Sequence, residues 1–464
     1  MMRIAYLGLT AALALTACTG TTEAPKTASS NTPGPSTAPE NPFPSTYTAY
    51  PGVPTVIRGA TILDGEGGKI ENGVVFLSGG KITAVGGPDT PIPADVTVFD
   101  GTGKYVTPGV IDIHSHLGDY PSPSVQALSD GNEATGPVTA DVWAEHSVWP
   151  QDPGFSRALA NGGVTALQIL PGSANLFGGR GVTLKNVYAR TQQGMKFPGA
   201  PYSLKMACGE NPKRVYGSKG RQPSTRMGNI AVDRQTWIKA REYQKKRAAN
   251  KEQTRDLSME TLADVLEGKI LVQNHCYRAD EMANVIDMSK EFGYKVTAFH
   301  HAVESYKIAD LLKANNICSA MWADWYGFKM ESYDGIRENI ALIQNAGACA
   351  IVHSDDENGI QRLNQEAAKA IAAGKRMGIN IPEEIAWEWL SYNPAKAMGI
   401  ADQTGSLKVG KMADVVLWNG NPFSIYTRPE RVWIDGALMY DANDPKRRPV
   451  SDFELGQIGA GDTK

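Results

Sequence analysis

The amino-acid sequence predicts an α/β chain, a distorted TIM-type (β/α)8 barrel with a small β-sandwich built from both chain ends. Three observations carry that expectation. The 464 residues are 42% hydrophobic and 20% charged, the composition of a folded chain too long for one ordinary core. The middle of the chain alternates short apolar runs with segments of helical periodicity, the grammar of parallel β/α units. Both ends carry short β-type runs bounded by turns, and neither holds a core of its own. With 46 basic and 49 acidic side chains the net charge is −3, which argues against a nucleic-acid backbone as the main partner.

In chain order, Met1, Met2 and Arg3 precede an uncharged run rich in Ala and Leu over residues 4–15, then Thr16, Ala17 and Cys18. The run is shorter than the roughly 18–20 residues that cross a bilayer, so it reads as a secretory signal and not a retained span. Leu15-Thr16-Ala17-Cys18 resembles the bacterial lipobox, which implies that residues 1–18 are a lipoprotein signal and that Cys18 is the lipidation site. Thr19 after the cysteine then suggests an outer-membrane lipoprotein facing the periplasm, touching the membrane through its lipid anchor only. Residues 19–50, rich in Thr, Ser, Pro, Ala and Asn, read as an extended tether, with Pro25, Pro33, Pro35, Pro39, Pro42 and Pro44 blocking helix and sheet alike.

Folding is expected to begin at Pro51. Strand-type runs stand at 55–58, 59–64, 73–77 and 81–85, and again at 413–418 and 431–436 around the Asn419-Gly420 turn. Residues 51–106 and 400–464 are therefore expected to pair into one composite sandwich, with the barrel, residues 107–399, inserted between them. Within the barrel, strand and helix pairs are legible at 270–273 with 280–292, 294–299 with 305–314, 316–322 with 335–345, and 348–352 with 360–377. A doubly wound open sheet is the alternative, but no Gly-rich dinucleotide fingerprint follows the first strand. Cys208, Cys276, Cys318 and Cys349 lie in or beside apolar segments without CxxC spacing and read as buried free thiols.

The run Val110-Ile111-Asp112-Ile113 ends in His114-Ser115-His116. Two residues apart on a strand, both imidazoles project from one face and can meet one cation. His275 closes the run 270–274, His300-His301 closes 294–299, and Asp355 follows 349–352. Strand ends converge in a barrel, so these residues, in a chain with only seven histidines, predict a shared metal site. His146 stands apart in a loop-like stretch and receives no role.

On the segment Val106-Thr107-Pro108-Gly109-Val110-Ile111-Asp112-Ile113-His114-Ser115-His116, the later strand-end histidines, Val352-His353-Ser354-Asp355 and the run 405–414, the chain resembles the amidohydrolase superfamily. The resemblance runs from about residue 55 to 441 and is nearest the imidazolonepropionase-related hydrolases. It implies one or two divalent metal ions, Zn2+ first and Fe2+ or Mn2+ next, and a metal-activated hydroxide that cuts a C–N bond in a small-molecule amide, lactam or cyclic imide. Residue by residue it implies His114, His116, His275, His301 and Asp355 as metal ligands. His301 and Asp355 count as catalytic, Asp355 serving also as general acid/base. The fourth-strand ligand is Glu210 or Lys205; Glu210, nearer the expected strand end, is preferred. His301 fits the family register and leaves His300 to support or packing, while His353 shares a face with Asp355.

An exported dipeptidase or carboxypeptidase of the same fold and a non-catalytic, lipid-anchored binding protein are the alternatives. The aromatic stretch 322–329 reads as a substrate wall or a loop core. Arg214, Lys219, Arg221 and Arg226, after the fourth strand, are candidates for drawing an anionic substrate. Nothing in the sequence decides between a monomer and a homo-oligomer.

Overall fold

The structure, a computed structural model, describes residues 41–122, 124–250 and 252–447. The expected lipidation site Cys18, the signal 1–18 and the tether as far as residue 40 lie outside the described residues. Among the described residues, no helix is long and apolar enough to cross a membrane.

Among the described residues, sixteen strands follow in chain order. They are β1 (Thr55–Leu63), β2 (Lys69–Ser78), β3 (Lys81–Gly86), β4 (Thr97–Asp100), β5 (Tyr105–Pro108), β6 (Val110–Ser115), β7 (Val164–Ile169) and β8 (Phe177–Lys185). Then come β9 (Ser203–Ala207), β10 (Leu271–Cys276), β11 (Val296–His301), β12 (Cys318–Met321), β13 (Cys349–Val352), β14 (Val415–Trp418), β15 (Pro429–Ile434) and β16 (Ala437–Asp441). Strands β6 to β13 lie side by side in sequence order and form a distorted barrel. Their residues are buried on both faces, which is why they read as near-continuous apolar runs.

One expectation needs correcting. The strands are not all parallel, because β8 runs antiparallel to both β7 and β9. The connection 170–176 is too short for a crossover, which takes a dozen or more residues, so the chain can only turn back. Between β13 and β6 the barrel is closed by single bonds: Asp355 N donates to His114 O at 3.0 Å, and Ser354 N donates to Asp112 Oδ1 at 3.2 Å.

The two chain ends meet in a second sheet of order β16-β15-β14-β5-β1-β2-β3, with β4 beside β1. It is one continuous sheet that curls over its own apolar cluster, bringing Ile57, Val75 and Ile82 together with Leu407, Val415 and Trp433. Packing also begins earlier than Pro51. Lys196 Nζ donates to Phe43 O at 2.6 Å, Thr46 N to Gln193 O at 3.0 Å and Tyr50 Oη to Tyr188 O at 2.8 Å, so residues 43–50 are bound down and are not spacer.

The four cysteines of the described residues are paired, contrary to the free-thiol reading. Cys208–Cys276 and Cys318–Cys349 have Cα atoms 5.2 and 4.5 Å apart. Each joins neighbouring parallel strands in register, Ala207 facing His275 and Cys318 facing Cys349. Partners separated by 68 and 31 residues leave no local spacing signal.

Barrel and second sheet are locked together by a fully buried ion cluster. Lys185 Nζ, at the end of β8, lies 2.7 Å from Asp435 Oδ2 and 3.2 Å from Asp414 Oδ1. Removing the cation strands two buried carboxylates. Lys185→Met is expected to lower the unfolding free energy by about 3–5 kcal/mol, measured by denaturant titration; a loss within about 0.5 kcal/mol, typical of a surface site, would show that the cluster does not hold the two parts together.

Candidate metal centre

The convergence begins at the end of β6. His114 Nε2 lies 3.3 Å and His116 Nε2 3.0 Å from the same Asp355 oxygen, Oδ1. His301 Nδ1 is 3.9 Å from the other oxygen, Oδ2. The His275 and His301 rings are 4.6 Å apart, which brings the end of β10 to the same place. Lys205 of β9 is fully buried, with Nζ 3.2 Å from His114 Nε2 and donating to Pro171 O at 3.0 Å.

Hydrogen bonds set the tautomers. Gln273 Nε2 donates to Ala397 O at 3.0 Å, so Gln273 Oε1 is left to accept from His300 Nε2 at 2.8 Å. His300 Nδ1 then accepts from His114 Nδ1 at 2.9 Å, and the His114 Nε2 lone pair faces inward. His116 Nδ1 donates to Leu170 O at 2.8 Å, which turns its Nε2 lone pair inward too. Two imidazole nitrogens and a carboxylate oxygen thus converge, with the Lys205 ammonium 3.2 Å from His114 Nε2, so positive charge is favoured at this point. The donor set therefore fits a metal ion. Buried atoms nearby reinforce the fit, since His275 Nδ1, His301 Nδ1 and both nitrogens of His353 have no hydrogen-bond partner.

The orientation chain yields a test. Gln273→Leu frees His300 and lets the His114 ring turn. Metal affinity is expected to fall by roughly 10- to 100-fold, read by chelator competition, with the fold intact by circular dichroism.

Electrostatics agree with this arrangement. Burial drives His114, His275, His300 and His301 well below the usual imidazole range and His353 down to about 3, so the rings are neutral at physiological pH. Burial raises Asp355, but its neighbours His116, His353 and Lys205 outweigh it and hold the carboxyl below its ordinary range. Burial pushes Lys205 down to about 8, against the pull of Asp355. The backbone is strained here as well. His301 and Asp355 have φ of 67° and 57°, the left-handed region that non-glycine residues avoid at a cost of order 1–3 kcal/mol. At His301 that turn explains how two adjacent residues, His300 and His301, both serve the centre.

Glu210 is not brought to this cluster. Strand β9 ends at Ala207, Gly209 turns the chain with φ of 83°, and Glu210 opens the helix Glu210–Gly217. A Cβ on Gly209 would stand 2.6 Å from Glu331 Oε1, and that same oxygen accepts from Glu210 N at 2.6 Å. The Glu210 carboxylate lies 3.9 Å from Lys329 Nζ. The residue whose head group reaches His114 is Lys205, which shares a strand face with Ser203 and Ala207.

Asp112 escaped the sequence reading. Fully buried, it accepts from His114 N at 3.1 Å and Ser354 N at 3.2 Å, and also bonds Ser354 Oγ, so it ties the first strand end to the last. Burial raises its carboxyl to about 7 against these hydrogen bonds. A lone carboxylate inside an apolar run was its signal. A cavity of about 360 Å³ opens beside the cluster, lined by Ser115, His116, Tyr120, Gln126, Asp355 and Glu357. Of the aromatic stretch, Trp322 stacks on His301 at 4.3 Å and donates from Nε1 to Ser354 O at 2.9 Å, so it braces the centre.

A model of the amidohydrolase family matches residues 105–447. The chain is 30% identical over 433 residues to amidohydrolase tasK of Hapsidospora irregularis, which covers 84% of this chain and 43% of that protein. The chain thus spans less than half the length of that relative. It is 23% identical over 386 residues to imidazolonepropionase of Brucella anthropi, covering 76% of this chain and 88% of that protein. A solved amidohydrolase structure from Thermotoga maritima MSB8 superposes with a TM-score of 0.77 at 36% identity, covering 83% of this chain and 100% of that chain.

Proposed function

The chain belongs to the amidohydrolase family, and on that footing we propose that it is a metal-dependent hydrolase that cleaves a C–N bond of amide, lactam or cyclic imide type in a small-molecule substrate. The observation that carries the proposal is the meeting of His114 Nε2, His116 Nε2 and Asp355 Oδ1 within 3.3 Å of that oxygen, all presented as lone pairs. In this reading His114, His116 and Asp355 hold one divalent cation, with His275 and His301 available to a second. Lys205, and not Glu210, stands at the fourth-strand position. Its buried amine can add carbon dioxide with loss of one proton to give a carbamate, which would offer the metal an anionic oxygen donor beside His114. Imidazole and carboxylate donors without thiolate suit Zn2+ first, then Fe2+ or Mn2+.

A divalent cation held by His114, His116 and Asp355 would supply Lewis acidity for activating water and polarising a carbonyl. The chain's own residues handle the protons and the orientation. Asp355, ionised at neutral pH, takes a proton from the attacking water on its carboxylate and returns it to the departing nitrogen. Gln273 and His300 keep His114 in the tautomer that presents Nε2. Asp112, bonded to both strand ends, keeps Asp355 in register with His114.

The exported lipoprotein reading of residues 1–18 is part of the proposal. Two disulfides support it, since such bonds persist in oxidising compartments.

The test is turnover of N-acyl amino acids, lactams, hydantoins and dipeptides by metal-loaded protein. Cleavage in one of the first three classes is expected. Turnover confined to dipeptides moves the assignment to the exported dipeptidase, and bound metal with no turnover in any class favours the binding protein.

A further inference from the structure

Of the basic residues that follow the fourth strand, three are already engaged. Lys219 Nζ donates to Ala134 O at 2.7 Å, Arg221 bonds Thr135 O, and Arg226 pairs with Glu281 at 3.1 Å and with Glu331. Among the described residues a further cation stands beside the centre, Lys329, from the loop after β12. Its side chain is only 16% exposed. Nζ donates to Asn211 Oδ1 at 3.3 Å and lies 3.9 Å over the Tyr277 ring. Tyr277 stacks on His301 at 5.2 Å, and Asn211 Nδ2 is 3.5 Å from His275 Nε2. One side chain therefore separates this ammonium from each of two residues of the centre.

Lys329 is incompletely satisfied where it stands. An ammonium has three donors, and one is used on Asn211. The Glu210 carboxylate is 3.9 Å away, too far for a hydrogen bond. The neighbouring Glu331 is taken up by Arg226 and by Glu210 N. A largely buried cation without a bonded counter-ion is costly, and an anion arriving with the substrate relieves that cost. The charge balance selects the anion. The Lys329 ammonium, the Glu210 carboxylate 3.9 Å away and the Arg214 guanidinium that acts on Lys329 through its charge leave one net positive charge, which a monoanion balances.

We propose that Lys329 is a specificity-determining residue that binds a substrate carboxylate, so that the enzyme's substrates carry an acid group close to the scissile C–N bond, N-acyl amino acids being the simplest. This rests on the hydrolase reading of the same site.

The experiment compares wild type, Lys329→Met and Lys329→Arg on N-acetyl amino acids and their primary amides. The ratio of kcat/KM for acid over amide is expected to fall by roughly 30-fold or more in Lys329→Met, the loss that follows when one partner of a desolvated charge pair is truncated. Lys329→Arg should recover part of the ratio. An equal loss on acid and amide, or a preference that survives in Lys329→Met, overturns the proposal. Binding of the same acids and amides, followed by calorimetry, separates the two readings. If wild type hydrolyses both forms without preferring or selectively binding the acid, Lys329 is misassigned and the hydrolase reading stands. If wild type hydrolyses neither but binds the acid selectively, and Lys329→Met does not, the carboxylate site stands and the hydrolase reading falls.

Discussion

Asp355→Asn is expected to lower kcat by roughly 10²- to 10⁴-fold, the contribution of a positioned general acid/base. The substitution keeps the shape and one oxygen but removes the basicity that lets this side chain take and return a proton. His116 and the bond from Asp355 N to His114 O hold it in place, so the fold and most of the metal should survive. KM should change far less than kcat, because the lost interaction belongs to the transition state. Single-turnover kinetics beside metal analysis check this. An unchanged kcat would remove Asp355 from proton transfer, and a kcat loss matched by equal loss of metal would reduce it to a ligand.

The second large effect separates two residues five positions apart. Lys205→Ala is expected to cost about one metal equivalent and roughly 100-fold or more in turnover, more than the loss of a group that only supports a ligand. Glu210→Gln should leave metal content intact and turnover within about threefold, since that carboxylate faces Lys329 and lies outside the cluster. Metal content by elemental analysis and turnover at matched metal loading decide between them. The reverse pattern would return Glu210 to the fourth-strand position and leave Lys205 as a buried cation bonded to Pro171 O.

That pair shows where the sequence is legible and where it stops being so. His114 and His116 could be read because alternation on a strand is local, and His275, His301 and Asp355 because each closes an apolar run whose end a barrel directs to a common mouth. The choice between Lys205 and Glu210 depended on where β9 ends, and it ends at Ala207, before a glycine turn that carries Glu210 into a helix. The disulfides were invisible for a related reason. Cys208 meets Cys276 only because β9 and β10 are neighbours in a particular register. The antiparallel course of β8 could have been read from the short connection 170–176, and the carboxylate of Asp112 from its place in an apolar run. Lys329, by contrast, acquires meaning only once the loop after β12 is folded over Tyr277 and His301.

The direct test of the centre is the divalent metal content of freshly isolated, folded protein, followed by anomalous scattering at the metal edge. One to two equivalents of zinc, iron or manganese are expected, as sites of this class hold, with the first ion bound by His114, His116 and Asp355. Folded protein that takes up none of these metals under any loading condition would contradict the metal centre and the hydrolase built on it.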